Sequence, residues 1–258
     1  MNKLHFYKYQ GTGNDFVMID NREGIFPRDN ETLIQRLCHR KFGVGADGLI
    51  LLQDHHQYDF EMLYFNADAT TSMCGNGSRC AVHLAHHLGM IGKHCEFYAE
   101  DGHHQATIAN DMIHIGMIDV GAIEEMEGGY FLNTGTRHYV RQVEKLAAFD
   151  VLGEGKRIRY HEAFMPQGTN ASFVEMHNGE IHMRIYEKGV ENETLSSGTG
   201  VTAVALALAK AEGIKSPVRV NTQGGVLYVS FRQVNEHTFT EVEMIGPAVM
   251  VFEGTVFV

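Results

Sequence analysis

The sequence contains one kind of segment twice, and this repeat constrains the fold more than any other feature. CGNGSRCAVHLAHHLG begins at residue 74, and SGTGVTAVALALAKAEG begins at residue 197, close to half of the 258-residue chain later. In each segment an x-G-x-G turn precedes a stretch with helical apolar spacing that ends at a glycine. A single match of this kind carries little weight, so further matches are needed.

Two further matches occur in the same order along the chain. QGTGNDFV at 10–17 is similar to QGTNASFV at 167–174, and Gly102 of EDGHHQATI corresponds to Gly225 of TQGGVLYVS. Three ordered matches indicate a duplication rather than coincidence. We therefore predict two similar halves, each a curved sheet packed around one central helix.

Strand signals outnumber helix signals. Helices are predicted only at 30–40, 78–89 and 200–212. Short apolar runs predict strands at LHFYKY, FVMID, LILLQ, FEMLYF, YFLNT, SFVEM, IHMRIYE, VLYVSF and VMVFEGTVFV. This mixture lacks the regular strand-helix alternation of a parallel α/β sheet, so it predicts an α+β fold.

The repeat also suggests where the domains divide. We place the N-terminal domain at residues 1–118 and the C-terminal domain at 119–246. The last strand, in residues 247–258 after Gly246-Pro247, is expected to return to the first domain.

The charge balance disfavours a nucleic-acid partner. The chain has 21 Lys and Arg against 32 Asp and Glu, a formal net charge of -11, and its acidic residues are scattered. A phosphate backbone would therefore be repelled. An anionic substrate must be held by local features, such as helix N-termini, rather than by a general positive field.

Nothing in the sequence indicates a membrane or secreted protein. The longest apolar stretch, 201–209, is far shorter than the roughly 20 residues that span a bilayer, and MNKLHFYKYQ has no apolar signal region. We expect a cytoplasmic protein whose four cysteines, at 38, 74, 80 and 95, form no disulfide framework. Cys80 and the histidines after it lack a second ligand pair at zinc spacing, so no metal site is expected.

Three common glycine-rich motifs can be rejected. FGVGADG at 42–48 has the G-x-G-x-x-G spacing, but it leads into the strand LILLQ where a dinucleotide site needs a helix. Neither x-G-x-G turn ends in the G-K-[ST] of a P-loop. SSGTG lacks the G-x-S-x-G spacing of a nucleophile elbow.

The x-G-x-G turns are better explained as binding sites for a carboxylate. Backbone N–H groups at a helix N-terminus bind an anion without charged side chains. Gly75, Asn76, Gly198 and Thr199 would supply these groups. Cys74 immediately precedes the first turn, where helix N-termini favour thiolates, so it is a candidate acid or base. The alternative is that Cys74 is a small buried apolar residue.

If the two helix N-termini face one cavity, residues 74 and 197 can approach the α-carbon of one ligand from opposite sides. One group would remove a proton, and the other would deliver a proton to the far side, which is the geometry of racemisation. Since no cofactor motif is recognisable, this chemistry is expected to proceed without pyridoxal phosphate.

The chain resembles the cofactor-independent diaminopimelate epimerases, within a wider group that contains the proline racemases. The motifs follow the family order over nearly the whole chain: GTGNDF (11–16), FGVGADG (42–48), FNAD (65–68), CGNGSRC (74–80), TGTRH (134–138), GTNASF (168–173), YEKGVENETL (186–195) and SGTG (197–200).

The resemblance implies two pseudo-symmetric domains, each a β-barrel around a central helix, with the active site in the cleft between them. It implies interconversion of LL- and meso-diaminopimelate, on the route to lysine and peptidoglycan, by two-base proton transfer at the α-carbon. It implies no cofactor, and it allows a homodimer.

Matching the motifs residue by residue implies two sets of site residues. The catalytic set is Cys74, Ser197, His138 and Glu187. The substrate-binding set is Asn14, Asn66, Gly75, Asn76, Asn170, Glu187, Lys188, Gly198 and Thr199. The alternative interpretation is that Asn14 and Asn170 close turns beside glycine and that Glu187 is a solvated strand charge.

The chain departs from the family pattern in four places. Ser197 replaces the second catalytic cysteine, and a serine hydroxyl is a weak base unless a partner activates it. Lys188 replaces an arginine that binds the distal carboxylate, which keeps the charge but loses the bidentate geometry. Thr136-Arg137 replaces Asn-Pro before His138, and FNADATTSMC is one residue shorter and lacks Gly-x-Glu.

These departures leave three hypotheses open. The first is a diaminopimelate epimerase in which α-proton exchange from one face survives better than complete epimerisation. The second is a racemase, epimerase or dehydratase of another amino acid, for example a hydroxylated one. The third is a non-catalytic amino-acid-binding homologue, which would bind ligand without isotope exchange.

Overall fold

The structure, a computed structural model, describes residues 3–258 and divides into two compact units. Unit 1 extends to Ile115 and takes in the C-terminal segment Gly246–Val258. Unit 2 is Gly116–Ile245.

Unit 1 is a mainly antiparallel sheet with two helices. The helices are α1 (Glu31–Cys38) and α2 (Gly75–His87). The strands are β1 (Lys3–Gly11), β2 (Asn14–Asp20), β3 (Gly48–Gln53), β4 (Phe60–Asn66), β5 (His94–Ala99), β6 (Gly102–Ala109), β7 (Met112–Gly116) and the C-terminal β17 (Val249–Phe257). β17 extends the sheet by pairing antiparallel with β1.

Unit 2 likewise combines two α-helices with a mainly antiparallel sheet. Its helices are α3 (Val151–Arg159) and α4 (Gly198–Glu212), with single 3-10 turns at Leu146–Ala148 and Glu162–Phe164. Its strands are β8 (Glu124–Met126), β9 (Gly129–Asn133), β10 (Arg137–Gln142), β11 (Asn170–His177), β12 (Glu180–Glu187), β13 (Asn192–Thr194), β14 (Val218–Thr222), β15 (Gly225–Gln233) and β16 (Phe239–Gly246).

The two units share one order of strand pairing. In unit 1, β1 and β2 are antiparallel, β2 and β3 are parallel across α1, and β3 and β4 are antiparallel. β4 and β5 are then parallel across α2, and β5, β6 and β7 are antiparallel. In unit 2 the strands β9, β10, β11, β12, β14, β15 and β16 repeat this order, with α3 and α4 at the two parallel crossovers. The sequence repeat is thus a repeat of topology.

The helices α2 and α4 lie at the centre of their units. Every residue of α2 from Asn76 to Val82 is buried, and so is every residue of α4 from Gly200 to Ala209. A surface helix would bury only one stripe, so burial on all sides identifies a core helix. α4 is the most apolar helix, but no helix in residues 3–258 is long and apolar enough to span a membrane.

The outer helices cover the other face of each sheet. Successive strand residues point to opposite faces. In β3, Leu49 and Leu51 pack with Ile34 of α1, whereas Ile50 lies beside Gly77 of α2. In unit 2, Tyr186 of β12 packs with α3 and the adjacent Ile185 lies beside Gly200 of α4. Burial on both faces explains why these strands read as continuous apolar runs.

Strand register places polar residues close together along one edge of the unit 1 sheet, the edge that is formed by the ends of the strands. Phe16 of β2 pairs with Gly48 of β3, and Gly48 pairs with Asn66 of β4. The starts of β2 and β3 therefore lie beside the end of β4, the strand that leads to α2. Asn14 begins β2 and so lies at this edge.

Candidate active site

Three of the residues singled out in the sequence meet at this edge in unit 1. Cys74 is the N-cap of α2, and Asn76 is in its first turn. The Cys74 thiol donates to Oδ1 of Asn14 at an Sγ to Oδ1 distance of 3.5 Å. Nδ2 of Asn76 lies 3.4 Å from the same oxygen. Asn14, Cys74 and Asn76 form what we call the unit 1 cluster.

Asn66 is at the same edge but has other partners. Its Oδ1 accepts a hydrogen bond from the Tyr64 hydroxyl at 3.0 Å. Its Nδ2 donates to the carbonyl and hydroxyl oxygens of Thr70 at 3.1 and 3.0 Å, and to Ser72. These bonds close the shortened loop FNADATTSMC.

Cys74 has the backbone and bonding of a helix cap. Its φ and ψ are -137° and 109°, and its Sγ accepts from the N–H of Gly77 at 3.4 Å. A Cβ at position 77 would lie 3.0 Å from Cδ1 of Ile50, so glycine lets the start of α2 pack closely against β3. Position 77 therefore favours glycine for packing.

Cys74 is also the accessible thiol of the chain. It is half-buried, whereas Cys38, Cys80 and Cys95 are buried, and none of the four forms a disulfide in residues 3–258. Burial raises the pKa of Cys38 to about 11 and that of Cys80 and of Cys95 to about 12. These three side chains therefore stay protonated at neutral pH. No group of three or more potential metal-ligating side chains occurs among residues 3–258.

A network of charged side chains holds the Asn14 amide on its Nδ2 side, the side away from Cys74. Nδ2 of Asn14 donates to Oδ2 of Asp47 at 2.8 Å, and Arg40 contacts both Asp47 and Asp15 at 2.7 Å. The buried Lys8 ammonium is 2.5 Å from Asp15 and also contacts the Gly45 carbonyl. Burial raises the pKa of Asp15, but hydrogen bonds from Arg40 and Lys8 outweigh it and lower the pKa to about 2.

Sequence analysis missed this network. Asp47 lies within FGVGADG, a motif that was considered for a dinucleotide site and for the resemblance but not for Asp47 itself, while Lys8, Asp15 and Arg40 had no assigned role. The signal was the polar GADG placed just before an apolar strand, since parallel pairing brings the start of that strand beside the start of β2.

Unit 2 places its own set of residues at the equivalent edge. His138 of β10 pairs with Asn170 of β11, and the antiparallel β12 ends at Glu187. α4 follows, with Ser197 as its N-cap at φ -134° and ψ 122°. Oγ of Ser197 accepts from the Gly200 N–H at 3.3 Å. Ser197 therefore has the same backbone conformation and capping bond as Cys74.

His138 is fully buried and bonded through one ring nitrogen. Its Nε2 lies 2.8 Å from the Thr136 hydroxyl and 3.0 Å from that of Thr199. Its Nδ1 has no hydrogen-bond partner among residues 3–258. Burial lowers the pKa of His138 to about 3. At physiological pH the imidazole is therefore neutral and acts as a hydrogen-bonding group rather than a cationic acid.

Glu187 and Thr199 flank the Ser197 hydroxyl. Burial raises the pKa of Glu187, although the hydroxyls of Ser197 and Thr194 pull it the other way. Oγ of Ser197 is 3.5 Å from Oγ1 of Thr199. We call His138, Glu187, Ser197 and Thr199 the unit 2 cluster. It combines a neutral imidazole with a carboxyl that holds its proton more tightly than usual.

Asn170 and Lys188 are joined through the backbone. Oδ1 of Asn170 accepts from the Lys188 N–H at 2.8 Å, and its Nδ2 donates to the Arg137 carbonyl at 3.0 Å and to Thr136 at 3.3 Å. The Lys188 side chain is exposed and forms no ion pair with the described residues. Arg137 instead stacks on the Phe131 ring, 4.9 Å from its centroid.

The N-termini of the two central helices lack acidic residues. Helices α1 and α3 carry Glu31 and Glu154 in their first turns, whereas α2 and α4 carry none. The first intrahelical bonds are those from Ser78 to the Cys74 carbonyl and from Val201 to the Ser197 carbonyl. The amides of the preceding turn, with the positive end of the dipole, are therefore suited to an external anion.

Comparison with known proteins adds to this geometry. The family model described as diaminopimelate epimerase matches residues 6–123 and 130–251. The chain is 48% identical over 258 residues to a diaminopimelate epimerase of Flavobacterium psychrophilum, covering 98% of this chain and 100% of the relative. It is 38% identical to a diaminopimelate epimerase of Chlorobaculum tepidum, covering 95% and 98% of the two chains.

Solved structures match the fold at low identity. A Bacillus anthracis protein of the PhzF phenazine biosynthesis family superposes with a TM-score of 0.75 at 15% identity, covering both chains completely. A hydroxyproline epimerase from Agrobacterium vitis, with bound trans-4-hydroxy-L-proline, has a TM-score of 0.64 at 14% identity, covering 98% of this chain and 92% of that one. These likenesses confirm the predicted α+β class of two barrel-like domains.

Proposed function

The chain belongs to the diaminopimelate epimerase family, and from this premise we propose that it interconverts LL- and meso-diaminopimelate by proton transfer at the α-carbon. The observation that carries the proposal is the equivalence of Cys74 and Ser197. Each caps one of the two central helices, with nearly the same backbone angles and the same bond to the third helical residue. A duplicated fold thus presents one proton-carrying side chain from each repeat.

The substrate carboxylate at the reacting carbon is proposed to bind the helix N-termini. Gly75 and Asn76 contribute from α2, and Gly198 and Thr199 contribute from α4. The absence of acidic residues from these first turns leaves the helix dipoles without an internal counter-charge. Hydrogen bonds to the carboxylate also favour the carbanion that forms when the α-proton leaves, because negative charge spreads onto those oxygens.

Cys74 and Ser197 are proposed to act on opposite faces of the α-carbon. In one direction the Cys74 thiolate removes the α-proton, and the Ser197 hydroxyl gives its proton to the other face. Glu187, whose pKa is raised by burial, then passes its own proton to the serine oxygen. In the reverse direction the Glu187 carboxylate takes the serine proton while the serine oxygen takes the α-proton, and the Cys74 thiol gives its proton to the opposite face and returns to the thiolate. The protons balance in both directions, and no cofactor is required.

The remaining residues are proposed to position the substrate. Lys188 would bind the distal carboxylate as a point charge, in keeping with its exposed and unpaired ammonium among the described residues. Asn14, Asn66 and Asn170 would direct amide groups at the substrate, since each sits at the site edge of its sheet. His138, being neutral, would act by holding the Thr199 hydroxyl.

A hydroxylated amino acid is the second candidate substrate. Three hydroxyls, those of Ser197, Thr199 and Thr136, form a chain of contacts of 3.5 and 3.0 Å. Such a chain could hydrogen-bond a substrate hydroxyl that diaminopimelate lacks. Epimerisation or dehydration of a hydroxy amino acid would then be the activity.

Isotope exchange separates these proposals from simple binding. The protein is incubated in D2O with LL-diaminopimelate, meso-diaminopimelate or hydroxyproline, and α-deuterium and stereochemistry are followed together. We expect deuterium and inversion with diaminopimelate, with exchange faster than inversion. Exchange with hydroxyproline alone would favour the second candidate. Tight binding with no exchange from any substrate would leave only a binding protein.

We also propose a cytoplasmic homodimer. Four consecutive residues of β17, from Val249 to Phe252, expose apolar side chains on a terminal strand of unit 1, and exposed apolar strands favour association. Four cysteines without a disulfide among the described residues suit a reducing compartment. Sedimentation velocity of the protein and of Val251→Lys tests the dimer: we expect the substitution to shift the protein towards monomer, and a wild-type monomer would contradict the proposal.

A further inference from the structure

The Asn14 amide lies between a carboxylate and the Cys74 thiol. On one side its Nδ2 is 2.8 Å from Oδ2 of Asp47. On the other side its Oδ1 is 3.5 Å from Sγ of Cys74. Asp47 is itself held by Arg40, at 2.7 Å from its other oxygen.

The carboxylate decides which end of the amide faces the thiol. An ionised carboxylate can only accept hydrogen bonds, so it selects the NH₂ end of Asn14. The carbonyl oxygen must then point the other way, towards Cys74 and Asn76. Without Asp47 the amide could rotate by half a turn and present its NH₂ group to the sulfur.

We propose that Asp47 is a positioning residue that fixes the Asn14 amide so that its oxygen accepts from the Cys74 thiol. An acceptor at Sγ stabilises the protonated thiol, whereas a donor would stabilise the thiolate. Asp47 therefore acts through Asn14 in favour of the protonated form of Cys74. The proposal rests on the proposed function only for the role of Cys74 in catalysis.

Other groups act on Cys74 in the opposite direction. The Gly77 N–H donates to Sγ at 3.4 Å, and the buried Arg79 guanidinium interacts electrostatically with the thiol. Cys80, buried in the same helix, has its pKa raised to about 12, stays protonated and so places no charge beside Cys74. Among these groups, the Asn14 oxygen is therefore the one that stabilises the protonated thiol of Cys74. Its orientation is set by Asp47, which does not itself contact the sulfur.

Thiol alkylation tests the proposal without substrate. Iodoacetamide modification of the intact protein is followed by mass spectrometry over a range of pH, with Cys74→Ala giving the background from the buried cysteines. The midpoint of the rate against pH reports thiol ionisation and does not depend on how easily the reagent reaches the sulfur. Wild type, Asp47→Ala, Asn14→Ala and the double variant are compared.

Both single substitutions are expected to lower the midpoint, by about 0.5 to 1 pH unit for the loss of one hydrogen bond. The double variant is expected to match Asn14→Ala alone, because Asp47 acts through that amide. If Asp47→Ala lowers the midpoint equally when Asn14 is already alanine, Asp47 acts through its charge and the proposal is wrong. An unchanged midpoint in Asp47→Ala would overturn it as well.

A matched control is available on β2, the strand that begins at Asn14. Asp20 ends β2 and pairs with Arg22 at 2.6 Å, much as Asp47 pairs with Arg40, but it has no bond to Asn14. Asp20→Ala is expected to leave the midpoint in place, and an equal shift there would reduce the effect to general charge. Should Asp47→Ala fail to fold, Asp47→Ser gives the same comparison, because the serine side chain is too short to contact Asn14. Because no substrate is used, failure of the proposed function would not change these outcomes.

Discussion

Oγ1 of Thr136 lies 2.8 Å from Nε2 of His138, a buried side chain of the unit 2 cluster. The same oxygen accepts from Asn170 and donates to Thr199 at 3.0 Å. Thr136 therefore links a buried imidazole to the hydroxyl beside Ser197. Thr136 thus contacts two members of the unit 2 cluster directly.

Removing this hydroxyl should weaken catalysis without unfolding the protein. Thr136 is exposed, so its substitution should have little effect on the fold. Valine has the same shape as threonine but lacks the hydroxyl, so in Thr136→Val, His138 loses one of its two hydrogen-bond partners. We expect α-deuterium incorporation to slow about fivefold, the value of one hydrogen bond. Thr136→Ser should retain most of the rate. A valine variant as active as wild type would show that the link is not used.

Restoring a thiol at position 197 should raise inversion more than exchange. A thiol ionises near neutrality and a serine hydroxyl does not, so Ser197→Cys should increase complete epimerisation by roughly a hundredfold. The rate of α-proton exchange at the substrate face on which Cys74 acts should change by only a few-fold. Ser196→Cys, at the adjacent buried serine, is the control and should give no gain. Equal rates of exchange and inversion in the unaltered protein would contradict the underlying idea.

The pH dependence of proton abstraction by Ser197 should follow Glu187. Glu187 must be ionised to accept the serine proton, and burial raises its pKa above the ordinary value of 4.5. The rate of this step should therefore rise with pH through a midpoint above 4.5. Glu187→Gln should lower the rate and remove this acidic limb from the profile. Persistence of the limb in the glutamine variant would assign it to another group.

Asp15 should make the stability of the chain sensitive to acid. Its pKa in the folded protein is lowered to about 2, mainly by Arg40 and Lys8 acting against burial. A carboxyl with a depressed pKa stabilises the fold above its unfolded pKa of about 3.9, and this contribution is lost as the pH falls towards 2. Allowing for solvent screening, the loss is about 1 to 2 kcal/mol.

Urea unfolding at several pH values checks this prediction. Asp15→Asn should be less stable than wild type at neutral pH, and the difference should shrink between about pH 4 and pH 2. Asp29→Asn, at an exposed aspartate, should follow the wild-type profile. A constant difference between Asp15→Asn and wild type at all pH values would argue against the ion pair.

The first glycine of FGVGADG should be required for packing. A Cβ at Gly43 would lie 1.9 Å from the backbone oxygen of Arg36 in α1, which cannot move independently. Gly43→Ala should lower the free energy of unfolding by about 2 kcal/mol or more. Gly92→Ala meets no atom within 4 Å and should stay within about 0.5 kcal/mol of wild type. Similar losses in both variants would show that the close approach of position 43 to the Arg36 carbonyl is not the cause.

Local pattern predicted the central helices but not α3. The turns before α2 and α4 were visible because a cap, glycines and an apolar run are adjacent in sequence. The segment VLGEGKRIR contains two glycines, which disfavour a helix in isolation. In the structure Gly155 is needed because a Cβ there would lie 2.3 Å from Cβ of Tyr186, and Asp150 caps the helix through the Gly153 N–H. Tertiary packing therefore overrides the local preference.

The candidate site divides in the same way. Cys74 and Asn76 lie in one short motif, so their proximity could be predicted from sequence. The contact between Asn14 and Asp47 depends on the parallel pairing of β2 and β3 across α1, which no local signal specifies. The neutral state of His138 depends on complete burial, which sequence alone did not predict.

The missing acidic residues at the starts of α2 and α4 also bear on the stability of the free protein. The helices that form the two cores each begin with an uncompensated positive end, whereas α1 and α3 supply their own glutamate. A carboxylate bound at the N-terminus of either helix would supply the missing charge in that unit and would bind the folded chain in preference to the unfolded one. Ligand binding and folding would thus be thermodynamically linked, with an external carboxylate serving as the first-turn acid that α2 and α4 each lack.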